Sequence, residues 1–244
     1  MVTSPMTIDR LPAPERVLVV AAHPDDIEFG AAGTVARWVD GGAQIRYLLV
    51  TRGDKGSDDP AVNPRELAER REQEQRAAAA ELGVAGVDFL DEPDGQVEPS
   101  VRLRERITYA IRRFQPEIVM GHDPTVLFVN NEWVNHPDHR AVGMVTVDSV
   151  FPTARDPLNF REHIDAGLHP WKVAELFLWS TNEANQLVDI GATLDRKISA
   201  LRCHESQFTN FAETEKWLRR TAEELGDRAG YRAAEGFRRV MLAR

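Results

Sequence analysis

The sequence lacks several features that mark large classes of proteins. Cys203 is the only cysteine among 244 residues, so the chain can form no internal disulfide, and we expect a reducing, cytoplasmic location. Lys and Arg number 30 against 39 Asp and Glu, and the net charge of −9 argues against nucleic acid as a partner, because phosphate binding needs a basic surface. No apolar run is long enough to cross a bilayer, so we expect no membrane partner.

Linkers and internal repeats are also missing. With 244 residues and 42% hydrophobic content, the chain is long enough to bury one sizeable core. We therefore expect a single domain over 1–244, with a core over 1–150 and an elaboration over 151–244 that closes one wall of the pocket. The sequence does not specify an oligomeric state, and a homo-oligomer is compatible with it.

Short β-branched runs alternate with helical patterns along the first half of the chain. The predicted strands are 17–22, 45–51, 87–90, 118–121 and later 177–180, and the predicted helices are 27–40, 66–82, 101–114, 140–147, 191–207 and 213–225. Such alternation is typical of right-handed βαβ units. The sequence therefore predicts an α/β fold of the Rossmann-like kind, with a mostly parallel sheet flanked by helices.

The first predicted strand is not followed by the Gly-rich turn that binds dinucleotide phosphates. Ala22-His-Pro-Asp-Asp26 stands there instead. Imidazole and carboxylate are ligands that zinc accepts, and ligands bind at the carboxyl ends of strands in open α/β sheets. His23 and Asp26 lie three residues apart across this turn, so both side chains can reach one ion.

A simpler interpretation of this motif is a helix cap. Asp25 and Asp26 precede a predicted helix, where carboxylates accept from free N–H groups and oppose the helix dipole. Such a cap does not need His23, so the imidazole favours a metal site.

A second His/Asp cluster, His136-Pro-Asp-His139, stands far along the chain. Pro137 suits the first position of the helix predicted after it. Two histidines at this spacing are common and most often lie on a surface. Joined with the first cluster, they predict a metal-dependent hydrolase, and spacing alone permits both His136 and His139 to bind the metal.

These motifs and several others resemble the PIG-L/LmbE-like zinc-dependent N-deacetylases. The matching segments are 22–26, Thr51-Arg-Gly-Asp-Lys-Gly56, Arg71-Glu-Gln-Glu74, Leu82-Gly-Val84, Asp94-Gly95, Asn135-His-Pro-Asp-His-Arg140 and His204-Glu-Ser-Gln207. They follow the order of the family and cover nearly the whole chain. The role of the segment that begins with His204 does not follow from the residues themselves.

The resemblance implies a metal site and a catalytic base. It makes His23, Asp26 and His139 the ligands of one Zn²⁺ per chain, with an open position for water and the substrate carbonyl. Another divalent metal is compatible with the same ligands. Asp25 matches the general base, which takes a proton from the attacking water.

The resemblance also assigns roles to four further side chains. His136 stabilises the oxyanion as an imidazolium and protonates the leaving amine, while Asp138 accepts from the other nitrogen of that ring and raises its pKa. Arg71 matches an arginine that contacts the sugar in relatives. Asp94 follows the third predicted strand and can accept from sugar hydroxyls.

The substrate implied by the resemblance is a small N-acetylglucosamine-type molecule that loses an acetyl or related acyl group from its amide nitrogen. Mycothiol-pathway members carry a tyrosine two residues before the second cluster, where this chain has Val134. The resemblance therefore does not extend to their substrate. Three alternatives stay open: an amidase on a non-sugar or thiol-conjugate substrate, a hydrolase of another bond such as a phosphoester, and a non-catalytic sugar-binding homologue.

Overall fold

A computed structural model describes residues 12–129 and 132–243. In chain order, the strands are β1 Arg16–Ala21, β2 Gln44–Leu49, β3 Gly86–Phe89, β4 Ile118–His122, β5 Phe128–Val129, β6 Trp133–Val134, β7 Glu175–Trp179, β8 Gln186–Asp189 and β9 Ala234–Met241. The helices are α1 Asp26–Gly30, α2 Ala32–Asp40, α3 Pro64–Leu82, α4 Val101–Phe114, α5 Pro137–Asp148, α6 Arg161–Asp165, α7 Leu194–Arg202 and α8 Phe211–Asp227. A wide helical turn spans Ser149–Thr153, and a 3₁₀ turn spans Glu205–Gln207.

The strands form one central sheet in the order β3-β2-β1-β4-β7-β9-β8, and β5 pairs with β6 as a separate short ribbon. The first five strands of that order run parallel, and β9 is antiparallel to both of its neighbours. The predicted α/β fold with a mostly parallel sheet is confirmed. No helix in the described part of the chain combines the length and apolarity needed to span a membrane.

Both faces of the sheet are covered, which explains why the central strands are apolar throughout. In β1, Val17 and Val19 pack into the core on one face, whereas Leu18 and Val20 pack into the core on the other. Successive side chains of a strand point to opposite faces, so a strand between two helix layers carries no polar alternation. The continuous run observed in the sequence is the result.

The helix predicted over 27–40 is broken in the structure. Ala31 has φ −147°, which is not helical, and it separates α1 from α2. Gly30 lies against the indole of Trp179, where an added Cβ would stand 2.6 Å from the ring. The chain therefore turns where it meets β7, and α1 becomes a short helix whose direction is set by this contact.

The prediction of one helix over 191–207 was also incomplete. The structure has α7, which ends at Arg202, followed by the 3₁₀ turn, with His204 between them. Strands β8 and β9 were not predicted. Glu235, Arg238 and Arg239 interrupt the apolar pattern of β9, so its sequence does not show the alternation that marks a strand.

Candidate active site

The two His/Asp clusters meet at the carboxyl ends of β1 and β4. His23 follows β1, Asp26 is the first residue of α1, and His139 lies in the first turn of α5. His122 is the last residue of β4 and stacks on His139, with ring centroids 4.2 Å apart. The structure thus brings the two clusters together, as predicted, at the end of the sheet where the parallel strands finish.

The three predicted ligands surround a common point. Nδ1 of His23 lies 3.3 Å from Nε2 of His139 and 3.5 Å from Oδ2 of Asp26. Nε2 of His139 lies 3.0 Å from Oδ1 of Asp26. Ligands held tetrahedrally at about 2.0 to 2.1 Å from a zinc ion stand about 3.3 Å apart. The observed spacing therefore fits one small divalent ion.

A pair of carboxylates behind His23 sets the protonation of its ring. Nε2 of His23 lies 3.1 Å from Oδ1 of Asp94 and 3.2 Å from Oδ2 of Asp138. Burial raises the pKa of both carboxyls, but the hydrogen bond and charge of His23 together with backbone N–H donors outweigh it, lowering the pKa of Asp94 to about 2 and that of Asp138 below its ordinary value. Ionised carboxylates only accept, so Nε2 carries a proton, and a metal would bind at Nδ1 on the other side of the ring.

The predicted pairing of Asp138 with the ring of His136 is wrong. The Asp138 carboxylate accepts from Gly95 N–H at 2.7 Å and contacts His23, while Nδ1 of His136 accepts from the Asp138 backbone N–H at 3.2 Å. Burial, followed by the charges of His23 and His139, lowers the pKa of His136 and outweighs the attraction of Asp138. The Asp138 carboxylate is thus bonded to Gly95 and to His23, and it orients the ring of His23 instead of that of His136.

Asp25 lies beside the ligands in an unusual backbone conformation. Its φ is 91°, which non-glycine residues rarely adopt, and its N–H donates to Oε1 of Gln75 at 3.1 Å. Burial raises the pKa of its carboxyl to about 6, against the opposing charge of Arg71, whose Nη2 lies 3.2 Å from Oδ2. A carboxylate tuned in this way can accept a proton near neutral pH.

The predicted substrate contacts Arg71 and Asp94 lie below the surface of the site. Arg71 is 4% exposed, and its guanidinium donates to the carbonyls of Gly53 and Pro24 as well as to Asp25. Asp94 is 5% exposed and accepts from the N–H of Lys55. Both side chains support the loops of the site, and their contact with a sugar stays a prediction.

The sequence alone did not decide the role of His122, which the structure places behind Asp26. Its Nδ1 accepts from the indole N–H of Trp179 at 3.2 Å, and its Nε2 lies 3.3 Å from Oδ2 of Asp26. Burial, then the charge of His139, lowers its pKa to about 4, so the ring is neutral. The backbone N–H of Ala22 also donates to Nε2 at 3.2 Å, so both ring nitrogens of His122 have partners.

Geometry alone permits other metal-binding groups within the described residues. One combines His23, His136 and His139, and the other two draw on His122 or on the Asp94 and Asp138 pair. Both nitrogens of His122 are occupied, and the acidic pair meets the protonated nitrogen of His23, so neither group offers a free ligand set. Within the part of the chain that the structure describes, His136 thus stays the one alternative ligand, as the sequence had also allowed.

A cavity of about 770 Å³ lies beside this cluster, between α1, α8 and the strands β8 and β9. Its wall includes Phe29, which follows Asp26 on α1, Asn135, which precedes His136, and Trp217 on α8. The volume lies within the range of small-molecule sites. The cavity is therefore lined, with partly aromatic walls, by sequence neighbours of the two motifs rather than by their His and Asp side chains.

The family of the chain is shown by its sequence. The model of the family described as PIG-L, GlcNAc-PI de-N-acetylase, matches residues 18–150, which is more than half of the chain. The chain belongs to the PIG-L family. This match spans β1 to the end of α5, so it contains both His/Asp motifs. PIG-L deacetylases are metal-dependent hydrolases of amides, in agreement with the His/Asp cluster.

Several characterised PIG-L proteins are similar over most of the chain. Diacetylchitobiose deacetylase of Thermococcus kodakarensis is 35% identical, with 93% of this chain and 83% of that protein aligned. The 1D-myo-inositol 2-acetamido-2-deoxy-alpha-D-glucopyranoside deacetylase of Kineococcus radiotolerans is 30% identical, over 70% of this chain and 53% of that protein. The structure of N,N'-diacetylchitobiose deacetylase from Pyrococcus horikoshii superposes with TM-score 0.87 at 32% identity, covering 93% of this chain and 84% of that one.

Proposed function

We propose that this PIG-L protein is a zinc-dependent N-deacetylase that removes the acetyl group from a small N-acetylglucosamine-type molecule. The observation that carries the proposal is the meeting of His23, Asp26 and His139 at ligand spacing, with the buried carboxyl of Asp25 next in sequence to Asp26. The relatives named above are deacetylases of N-acetylated glucosamine compounds, which supports the same substrate class for this chain.

The donor set favours zinc as the metal. Two imidazole nitrogens and one carboxylate suit zinc, which binds such sites more tightly than iron or manganese does. When bound, zinc would polarise the substrate carbonyl and lower the pKa of a coordinated water to about 7. The protonated Nε2 of His23 and the acidic pair behind it hold Nδ1 toward the ion, an arrangement that strengthens histidine ligands in general.

Asp25 would take a proton from the attacking water, and His136 would stabilise the oxyanion. At neutral pH the Asp25 carboxyl, with its pKa near 6, is mostly ionised and can take the proton of the attacking water. His136 holds its Nδ1 against a backbone N–H, so its Nε2 carries the proton even when the ring is neutral. That N–H can donate a hydrogen bond to the developing oxyanion, and the proton that Asp25 took from the water can pass to the leaving amine, which completes hydrolysis of the amide.

The proposal is tested by acetate and free-amine release from a panel of small amides. Metal-loaded protein would be incubated with N,N'-diacetylchitobiose, N-acetylglucosaminyl inositol, N-acetylglucosaminyl malate, an S-conjugated acetamide and p-nitrophenyl phosphate. We expect equal amounts of acetate and amine from at least one sugar and no phosphate release. Turnover of the thiol conjugate alone, phosphate release, or binding without turnover would each replace the proposal with the corresponding alternative.

A further inference from the structure

A buried chain of hydrogen bonds runs from the unexplained His204 to the catalytic turn. Nε2 of His204 lies 3.1 Å from Oε2 of Glu28, and Oε1 of Glu28 accepts from Nε2 of Gln75 at 3.0 Å. Oε1 of Gln75 then accepts from the backbone N–H of Asp25 at 3.1 Å. Glu28, Gln75 and His204 are each 0% exposed, so water does not compete for these bonds.

The chemistry of the members fixes the direction of this chain. The Glu28 carboxylate only accepts, so the amide of Gln75 presents its nitrogen to Glu28 and its oxygen to Asp25. The same carboxylate requires His204 to donate from Nε2. Nδ1 of His204 is buried and has no hydrogen-bond partner within the described residues, so the bond to Glu28 is the polar contact that this side chain makes.

The far end of the chain is a strained residue. Asp25 has φ 91° and ψ −25°, a conformation that the surrounding structure must maintain because L side chains disfavour it. Its N–H is held by Gln75 and its carboxylate by Arg71. Asp26 is held separately, since its Oδ2 accepts from the backbone N–H of His23 at 2.7 Å. Loss of the hydrogen bond to Gln75 would thus free the backbone of Asp25 and leave Asp26, the proposed metal ligand, in place.

We propose that His204, Glu28 and Gln75 form a positioning chain that holds the backbone of Asp25 in its left-handed conformation and so aims its carboxylate at the attacking water. This inference rests on the proposed function only in the role of Asp25 as base. Through this chain the His204-Glu-Ser-Gln207 segment acts on the reaction by way of Glu28 on α1 and Gln75 on α3.

The first test removes single bonds of the chain. Gln75→Met keeps the length of the side chain without its hydrogen bonds, and His204→Leu removes the donor to Glu28. For both variants we expect kcat per bound metal to fall at least 10-fold, with metal content unchanged and KM within 3-fold of the wild-type value. His204→Gln keeps an N–H donor and should recover most of the lost kcat.

A charge swap tests the direction of the bonds. Gln75→Glu alone places two carboxylates against each other, so we expect a fall in kcat like that of Gln75→Met. Adding Glu28→Gln restores a donor and an acceptor at each link, because the new amide can donate to the new carboxylate. The double variant should therefore be more active than Gln75→Glu by at least 5-fold, which simple addition of two damaging changes would not produce.

Ser206→Ala is the matched control. Ser206 lies in the 3₁₀ turn that follows His204 and its hydroxyl donates to Glu74 on α3 at 2.6 Å, and within the described residues it has no hydrogen bond to the side chains of His204, Glu28 or Gln75. Loss of this hydroxyl should leave kcat within 2-fold of the wild-type value. An equal loss of kcat in Ser206→Ala and His204→Leu would overturn the proposal, because the effect would then belong to the packing of the turn.

A second readout needs no substrate. Amide hydrogen exchange of Asp25, followed by NMR, should be at least 10-fold faster in His204→Leu than in the wild type or Ser206→Ala, although His204 does not touch that amide. Unchanged exchange in His204→Leu would overturn the positioning chain even if activity fell. Wild-type protein that hydrolyses no amide would refute the proposed function, while the exchange result would still decide whether the chain holds Asp25.

Discussion

At the scale of single residues, the histidines of the site differ in what each ring nitrogen contacts. In His23 the acidic pair lies at Nε2 and Nδ1 faces His139 and Asp26, whereas both nitrogens of His122 have other partners. His136 uses Nδ1 as a helix cap and has Nε2 free. Under the proposed function, these contacts make His23 and His139 metal ligands, place His122 against Asp26 and leave His136 as a hydrogen-bond donor.

The division predicts opposite effects for two histidines that lie three residues apart. His139→Ala removes a ligand, so we expect zinc affinity to fall by at least 100-fold. His136→Ala should keep stoichiometric zinc and lose about 10²- to 10⁴-fold in kcat, the range for general acid and oxyanion groups. Metal analysis after dialysis, with steady-state kinetics on the same samples, measures both. Zinc loss in both variants would make His136 a ligand and refute its assigned role.

The neutral His122 predicts a pH dependence of stability. Burial lowers its pKa in the folded chain from 6.5 to about 4, so between these values the unfolded chain binds a proton that the folded chain does not. Stability is therefore lost as pH falls from 6.5 to 4, by about 3 kcal/mol from this residue. Urea unfolding of chelator-treated wild type and His122→Gln should show a stability difference that shrinks by this amount between pH 7 and 4. Parallel curves would contradict the neutral ring.

That these residues come together was predictable from the sequence, but their partners were not. His23, Asp26 and His139 follow from motif and resemblance because those motifs are local. The partner of Asp138 depends on the loop at Gly95, which reaches it from a distant part of the chain and takes its carboxylate. For the same reason the bond between His204 and Glu28 had no signal in the sequence.

At the scale of elements, the close packing of α5 on β4 positions His139. A Cβ added at Gly143 would stand 2.6 Å from the carbonyl oxygen of His122 and 3.1 Å from the backbone nitrogen of Pro124. Backbone atoms cannot move aside as a flexible side chain can. Gly143 thus sets the distance between the helix that carries His139 and the strand that carries His122.

Gly143→Ala is therefore expected to damage both the fold and the metal site. Alanine favours a helix by up to about 1 kcal/mol over glycine, but overpacking against backbone costs about 1 to 3 kcal/mol, so we expect net destabilisation. Zinc affinity should fall because α5 and His139 are displaced together. Urea unfolding and zinc titration measure the two effects. Met144→Ala, at a half-exposed position of the same helix, is the control and should change neither, whereas a stabilised Gly143→Ala would contradict the close approach.

Elements were predictable where burial imposes a regular pattern. The parallel strands are buried on both faces, so their continuous apolar runs mark them, and α4 was predicted over its observed span. β9 was not predicted because the charged residue Glu235, although buried, interrupts its apolar pattern. The break at Ala31 was missed because its cause, the indole of Trp179, comes from a distant strand.

At the scale of the whole molecule, Glu235 connects the two halves of the chain. Its carboxylate accepts from the N–H and hydroxyl of Thr34, at 2.7 and 2.6 Å, and from Nζ of Lys197 at 2.6 Å. Glu235 and Lys197 are 4% and 3% exposed. A buried ion pair thus caps α2 of the predicted core from β9 of the predicted elaboration, which supports one folding unit.

This connection predicts a single unfolding transition. Tryptophan fluorescence and far-ultraviolet circular dichroism should give coincident curves, as expected for one domain. Glu235→Ala leaves Lys197 buried without its charge partner and should cost about 3 to 5 kcal/mol in both signals. Two separated transitions in the wild type, or a Glu235→Ala effect on one signal alone, would divide the chain into two domains.

The most direct test of the account is acetate release per bound zinc by wild type and Asp25→Asn, with N,N'-diacetylchitobiose as the substrate. Asparagine keeps the shape of the side chain but cannot accept the proton of the attacking water. The account predicts that Asp25→Asn retains one zinc per chain and loses at least about 10³-fold in kcat. Activity within 10-fold of the wild type, with zinc retained, would show that Asp25 is not the base and would contradict the mechanism.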